Sequence, residues 1–161
     1  MSPTPNSPSI RLAKTADVPQ LAQLYYETVI RNGAQHYTKA QTQAWANFAR
    51  DQTAFARFVA AATTFLIEED NALLGFAGIA ADGHVTAVYV RGDRSGQGIG
   101  SQLMETLLNY AETQDLQRLY AEASEFSLGL FLKFGFQQFD VEVVEREGME
   151  FQSYLVEKIR G

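Results

Sequence analysis

The stretch VYVRGDRSGQGIGS, residues 88–101, decides the fold. An apolar run with strand character ends at Val90, and a helix with leucines on one face begins near Ile99. Between them, glycines at alternate positions leave backbone N–H groups open to a close-lying ligand. The first N–H groups of the helix and its positive dipole end point into the same space, which favours phosphate or pyrophosphate. The alternative interpretation is a tight strand-to-helix turn that needs glycine only for its backbone angles.

Two familiar phosphate-binding loops do not fit this stretch. A Walker loop needs a lysine followed by serine or threonine at the start of the helix. Here Gly100 precedes Ser101, so the lysine is missing. A dinucleotide-binding loop follows the first strand of its fold, whereas residues 91–98 follow the fourth predicted strand. Nucleotide hydrolysis and nicotinamide chemistry are therefore not predicted.

Patterns on both sides of the loop predict an α/β domain. The expected order is β-α-α-α-β-β-β-α-β-α-β-β, with strands at 10–12, 64–68, 72–80, 84–90, 119–123, 136–144 and 149–158. The expected helices cover 18–31, 38–48, 52–61, 99–113 and 127–133, the first with Asp17 as N-cap. This order predicts a three-layer α/β/α fold with a mixed, mostly antiparallel sheet of six to seven strands. Residues 10–161 form one domain, and the proline-rich residues 1–9 form a disordered leader.

The composition excludes several classes of protein. Thirteen Lys and Arg against nineteen Asp and Glu give a net charge of -6, which argues against nucleic acid as a partner. The chain has no cysteine, so disulfides and cysteine nucleophiles are excluded. No apolar run approaches the ~18 residues of a membrane span, and no signal peptide precedes the domain, so no membrane partner and a cytoplasmic location are expected. No His, Asp or Glu cluster has metal-ligand spacing, so no metal is predicted.

Two separated blocks of sequence resemble one known family. Residues 88–90 with 95–101 are similar to the acetyl-CoA motif of the GNAT N-acetyltransferases, and residues 122–124 with 130–136 are similar to that family's late segment. The resemblance implies the GNAT fold and an acetyl-CoA-dependent N-acetyltransferase. It implies direct attack of a small-molecule or peptide amine on the thioester in a ternary complex. Many relatives pair, so a homodimer is one expected state.

The resemblance also implies which residues bind the cofactor. The implied acetyl-CoA ligands are Val88, Tyr89, Val90, Arg94, Ser95, Gly96, Gln97, Gly98, Ile99, Gly100, Ser101, Ser124 and Phe131. A backbone N–H near Val90 is expected to polarise the thioester carbonyl, so Val90 is also a predicted catalytic position.

Three positions depart from the family's pattern. Ser95 stands where the motif has Gln or Arg, and Ser124 stands where many members have Asn. Phe131 stands where members commonly have a tyrosine that protonates the departing thiolate. A thiol with a pKa near ~8.5 leaves readily as thiolate, so the loss predicts a slower enzyme, or one that uses water or another hydroxyl, and does not by itself imply a dead one. An acyl-CoA-binding or sensing module on the same fold is the alternative, and a structural domain whose glycine loop binds nothing is a further one.

Glu122 is the predicted general base. It lies in an otherwise apolar strand, where alternation puts Tyr120, Glu122 and Ser124 on one face. A carboxylate there can accept a proton directly or through water, although a solvent-facing glutamate is the commoner case. The histidine at position 84 has a suitable pKa but is expected to be a solvated turn residue.

The acceptor site is expected between the first two helices. The resemblance places His36, Tyr37 and Trp45 at its border, although core packing is the simpler role for the two aromatic residues. The net charge of -6 favours encounter with a cationic amine. The sequence does not name the acceptor.

Overall fold

The computed structural model describes residues 8–94 and 96–160. Residues 1–7 of the predicted leader lie outside this part of the chain, as does Ser95, one of the predicted cofactor ligands. The first strand begins at Ser9, one residue before the predicted start of the domain.

The structure contains the predicted elements in the predicted order. The helices are α1 (Val18–Gly33), α2 (Lys39–Ala46), α3 (Gln52–Ala60), α4 (Ile99–Thr113) and α5 (Leu128–Lys133). The strands are β1 (Ser9–Leu12), β2 (Thr63–Glu69), β3 (Ala72–Ile79), β4 (Val85–Val90), β5 (Arg118–Ala123), β6 (Gln137–Arg146) and β7 (Met149–Ile159). The α/β class and the three-layer arrangement are confirmed.

The strands form two antiparallel sheets where one mixed sheet was expected. One sheet has the order β1-β2-β3-β4, and the other has the order β5-β7-β6. The expected parallel pairing of β4 with β5 is reduced to one bridge between His84 and Tyr120. There the Tyr120 N–H donates to the Gly83 carbonyl at 3.1 Å. A side chain at position 83 would collide with the Arg118 carbonyl, so glycine permits this close approach.

Beyond that bridge β4 and β5 diverge and open a V-shaped cleft. Two apolar cores hold its walls in place. One core packs α4 against the sheets around Leu103, Leu107 and Val156, and the other packs α1, α2 and α3 around Leu21, Phe55 and neighbouring aromatic rings. The two cores lie on opposite faces of the first sheet, since Leu66 belongs to one and Ile67 to the other. The cleft lies at the β4 edge of that sheet, facing β5.

The two predicted helix caps have different outcomes. The Thr38–Gln41 capping box at the start of α2 is confirmed. Asp17 precedes α1 but does not cap it. Its carboxylate instead accepts hydrogen bonds from both terminal nitrogens of Arg11, each at 2.9 Å. These bonds lower the pKa of Asp17 to about 2. The pair therefore contributes stability above about pH 4, which is lost as the pH falls toward 2.

Candidate active site

Two connected cavities occupy the cleft. The loop cavity, about 420 Å³, lies against the glycine-rich loop and the start of α4. The aromatic cavity, about 300 Å³, lies between α2 and β4 and reaches β5, β6 and β7. Val88, Tyr89, Phe126 and Ser127 line both, so the cavities meet beside β4.

The loop cavity has the geometry expected of an anion site. Gly96 and Gly98 have φ of +79° and +82°, the left-handed region that glycine adopts without strain. A Cβ at either position would meet nothing within 4 Å, so the space in front of them is open. Gly98 is the N-cap of α4 with no side-chain cap, which leaves the first N–H groups of the helix available to a ligand.

Two cations flank this opening. Arg94 lines the loop cavity, where its guanidinium donates to Gln97 at 2.7 Å and lies 3.3 Å from Glu69. Lys133 reaches across from α5 and donates to Ser101 at 3.0 Å. Ile99, Gly100 and Val90 also line the cavity, as predicted for cofactor ligands, whereas Gln97 does not.

The prediction missed several residues of the loop cavity. Lys133 lies in the second family block but was assigned no role, because only the fold brings α5 beside the loop. The others are Thr28, Asn32, Gln35 and Leu130. Thr28 and Asn32 lie on α1 and Gln35 lies just after it, and nothing in the local sequence distinguished them from ordinary polar positions.

The aromatic cavity brings together most of the other predicted site residues. Tyr37, Trp45, Ser124, Glu122 and Phe131 all line it. Trp45 stacks on a phenylalanine of the β5–α5 loop, with 5.2 Å between ring centroids. Its ring and that of Tyr37 therefore serve both the core and the wall of the cavity. His36 is exposed and lines neither cavity, so the structure does not bring it to the site.

A histidine–glutamate pair closes one end of the aromatic cavity. Nε2 of His84 lies 2.8 Å and 3.1 Å from the two carboxylate oxygens of Glu122. The imidazole stacks on the ring of Tyr120, whose hydroxyl donates to Asp82. The hydrogen bond to Glu122 raises the pKa of His84 above its ordinary value, since it stabilises the charged imidazolium. Sequence patterns could not reveal this pair, because 38 residues separate its members.

Phe131 forms part of the wall where the family usually has a hydroxyl. Its side chain is 4% exposed and packs edge-on against Phe136, with 5.0 Å between ring centroids. A serine pair lines the same cavity, and the Oγ atoms of Ser124 and Ser127 lie 3.0 Å apart. Burial raises the pKa of the Tyr89 hydroxyl well above 10, so that phenol stays protonated at neutral pH.

Val88 and Val90, the two ends of the predicted catalytic stretch, differ in position. Val88 lies where the two cavities meet, whereas Val90 lines only the loop cavity. The Val90 carbonyl lies 3.4 Å from the hydroxyl of Thr28, which donates to it. The backbone beside the aromatic cavity is therefore that of Val88 rather than Val90.

Within residues 8–94 and 96–160, no group of three or more His, Asp or Glu side chains is arranged to hold a metal ion. In the same part of the chain, no helix has the length and apolar character needed to cross a membrane.

The protein is thus an α/β domain whose cleft, between splayed strands, has a helix N-terminus at one end and a titratable pair at the other. A family model described as an acetyltransferase (GNAT) domain matches residues 33–158. The chain therefore belongs to the GNAT family of N-acetyltransferases. No curated protein matches the sequence.

Solved structures agree with this fold. A GCN5-related N-acetyltransferase from Rhodopseudomonas palustris superposes with a TM-score of 0.91 at 22% identity, covering 99% of this chain and 100% of that one. The PaiA N-acetyltransferase from Thermoplasma acidophilum, in complex with coenzyme A, has a TM-score of 0.78 at 15% identity, covering 96% and 99%. YncA from Salmonella typhimurium, with its cofactor acetyl-CoA, has a TM-score of 0.66 at 18% identity, covering 96% and 94%.

Proposed function

We propose that the protein transfers the acetyl group of acetyl-CoA to an amine, by direct attack in a ternary complex. The observation that carries this proposal is the junction of the two cavities at Val88. One cavity ends at a glycine loop and a helix N-terminus, and the other ends at a proton acceptor. A donor and an acceptor bound in the two cavities meet at this junction.

Acetyl-CoA extends along the loop cavity in this proposal. Its pyrophosphate binds the N–H groups at Gly98 and Gly100, with Arg94 and Lys133 supplying positive charge. The pantetheine arm runs past Val90, and the thioester lies beside Val88 and Ser124. Gln97 and Ser95 stay predicted ligands.

The chemistry needs a proton acceptor and a polarised carbonyl. An amine with a pKa near ~10 is mostly protonated at neutral pH, so proton removal is the larger barrier. The His84–Glu122 pair takes that proton, after which the nitrogen attacks the thioester carbon. A backbone N–H at the β4 wall stabilises the developing oxyanion, with Val88 now preferred to Val90. The C–N bond forms, the C–S bond breaks and the sulfur leaves as thiolate, while the second excess proton of the nitrogen passes to that thiolate or to water.

The alternative function is an acyl-CoA-binding or sensing module. The buried phenyl ring of Phe131 favours it, since no phenol is available there to protonate the thiolate. Both functions predict binding of acetyl-CoA, and only the enzyme predicts turnover.

Release of CoA thiol from acetyl-CoA in the presence of an amine panel tests the proposal. The chain has no cysteine, so a thiol reagent gives no background from the protein. We expect amine-dependent release, lowered by about 10²-fold or more in Glu122→Gln. Glu112→Gln, an exposed carboxylate on α4 that lines neither cavity, is the matched control. Acetyl-CoA binding with no release for any amine would favour the sensing module.

A cytoplasmic location and a homodimer belong to the same proposal. The free edge strand β6 carries exposed Phe139, Val141 and Val143, which is the surface we expect to pair. Molar mass measured by light scattering tests the dimer, which a monomer at micromolar concentration would contradict.

A further inference from the structure

Arg146, at the end of β6, lines the aromatic cavity and was not predicted as a site residue. Val144 and Arg146 are two residues apart, so the pleat turns both to the same face of the sheet. Val144 pairs in register with Phe151 of β7, which lines the same cavity. Arg146 is exposed to solvent, and it also forms part of the cavity wall.

No carboxylate neutralises this arginine. Across residues 8–94 and 96–160, Arg146 is absent from every ion pair within 4.0 Å. Its neighbours are acidic but are directed elsewhere. Glu145 pairs in register with Glu150 on the other face, and the Glu147 carboxylate accepts from Asn47 at 2.9 Å.

The charge of Arg146 acts on the hydroxyls above the cavity. Burial raises the pKa of Tyr25, Tyr37 and Tyr89, and the positive charge of Arg146 opposes that rise in each case. The guanidinium therefore lies near three hydroxyl groups. A cation beside hydroxyl donors, without a protein carboxylate, is an environment that suits a bound anion.

The other end of the cavity holds the His84–Glu122 pair. Glu122 pairs in register with Leu155 of β7, and Arg146 pairs with Met149 of the same strand. Six residues of β7 separate these two positions, which is roughly 20 Å along a strand at ~3.4 Å per residue. The side chains of Glu122 and Arg146 shorten the distance between their charged groups. That distance still exceeds the one between the amine and the carboxylate of an α-amino acid, which a single carbon separates.

We propose that the acceptor is a linear amine with an apolar body and a carboxylate at its far end. The amine lies at the His84–Glu122 end, the carboxylate binds the fork of Arg146, and the chain between them packs on the aromatic rings. This inference rests on the proposed function and names its substrate class. The net charge of the whole chain favours encounter with cations, whereas the charge inside this cavity selects an anionic tail.

Acetylation of a series of ω-aminocarboxylates, from four to twelve carbons, tests the inference against the matching ω-aminoamides. Wild-type protein should favour acids over amides by about 10- to 100-fold in kcat/KM, with an optimum above four carbons. Arg146→Gln should abolish this preference by raising KM for the acids. Arg146→Lys should keep part of it, because the charge remains but the fork is lost. Arg57→Gln, an exposed arginine on α3 outside both cavities, is the matched control and should keep it fully.

The outcomes separate this inference from the function on which it rests. Equal turnover of acids and amides, or an acid preference that survives in Arg146→Gln, would overturn the inference and leave the acetyltransferase intact. No turnover of any amine, with acetyl-CoA still bound, would overturn the proposed function and the inference together.

Discussion

At the scale of single residues, the His84–Glu122 pair sets the expected pH dependence. Glu122 raises the pKa of His84 by hydrogen bonding, so the imidazole is charged below that raised value and can accept a proton only above it. We expect kcat/KM to rise with pH through a midpoint above 6.5. In Glu122→Gln the midpoint should fall, because the largest cause that raises the pKa of His84 is lost, while partial burial still lowers it and only the charge of Asp82 opposes that.

Rates measured from pH 5.5 to 9 with one acceptor check this prediction. The acceptor ionises in the same way with both proteins, so a difference between the midpoints of wild type and Glu122→Gln comes from the protein. A midpoint that is the same in both proteins would mean that another group removes the proton.

Phe131 is the second residue with a specific expectation. Phe131→Tyr adds a hydroxyl to a ring in the cavity wall and restores an acid for the thiolate. We expect kcat to be preserved or raised, up to the ~10²-fold that a positioned acid contributes. The matched control is Phe136→Tyr, since Phe136 packs against the same ring but lines neither cavity. A large loss of kcat in folded Phe131→Tyr would show that the pocket requires the phenyl ring.

Several site residues could not be predicted at this scale, for a physical reason. A sequence pattern reports local spacing, and the contacts of His84, Lys133 and Arg146 are made across the fold. Arg146 in particular lies in the acidic hairpin REGME, which resembles any solvated turn. Glu122 was predictable because a charge in an apolar strand stands out locally.

At the scale of secondary structure elements, the glycine loop and α4 form the anion site. Gly98→Asp places a carboxylate at the helix N-terminus, where it repels the pyrophosphate by about 4 kcal/mol for unit charges 4 Å apart at an effective dielectric constant of 20. We expect an affinity for CoA lower by on the order of 1,000-fold, since every 1.4 kcal/mol is a factor of ten, measured by calorimetry. Gly98 is a cleaner position than Gly100, where a Cβ would lie 3.3 Å from a methyl group of Leu130.

Gly98→Asn is the control for backbone strain. Asn and Asp tolerate the left-handed region about equally and have nearly the same shape, so the two variants differ mainly in charge. Equal affinities for CoA in the two variants would mean that the pyrophosphate does not lie at this loop.

Most elements were predictable from local chemistry, and the division of the sheet was not. The capping box of α2 and the hairpin at residues 147–148 lie within a few residues of sequence. In the second sheet β7 lies between β5 and β6, and this sheet is complete without β4. No local signal indicates that insertion.

At the scale of the whole molecule, helices from both apolar cores contribute residues to the walls of one cleft. α4 belongs to one core and α1 to the other, and both line the cleft. A ligand that contacts both helices binds only the folded state, and it therefore stabilises the whole domain.

A thermal-shift titration with acetyl-CoA, beside free CoA and ATP, tests the central claim most directly. A ligand at ~100 times its Kd adds about 2.7 kcal/mol, which for this size of domain is a rise in Tm of roughly 5–10 °C. We predict that rise with acetyl-CoA and with CoA, and none with ATP at the same concentration. No shift at millimolar acetyl-CoA, or an equal shift with ATP, would contradict the assignment of the cleft as an acetyl-CoA site.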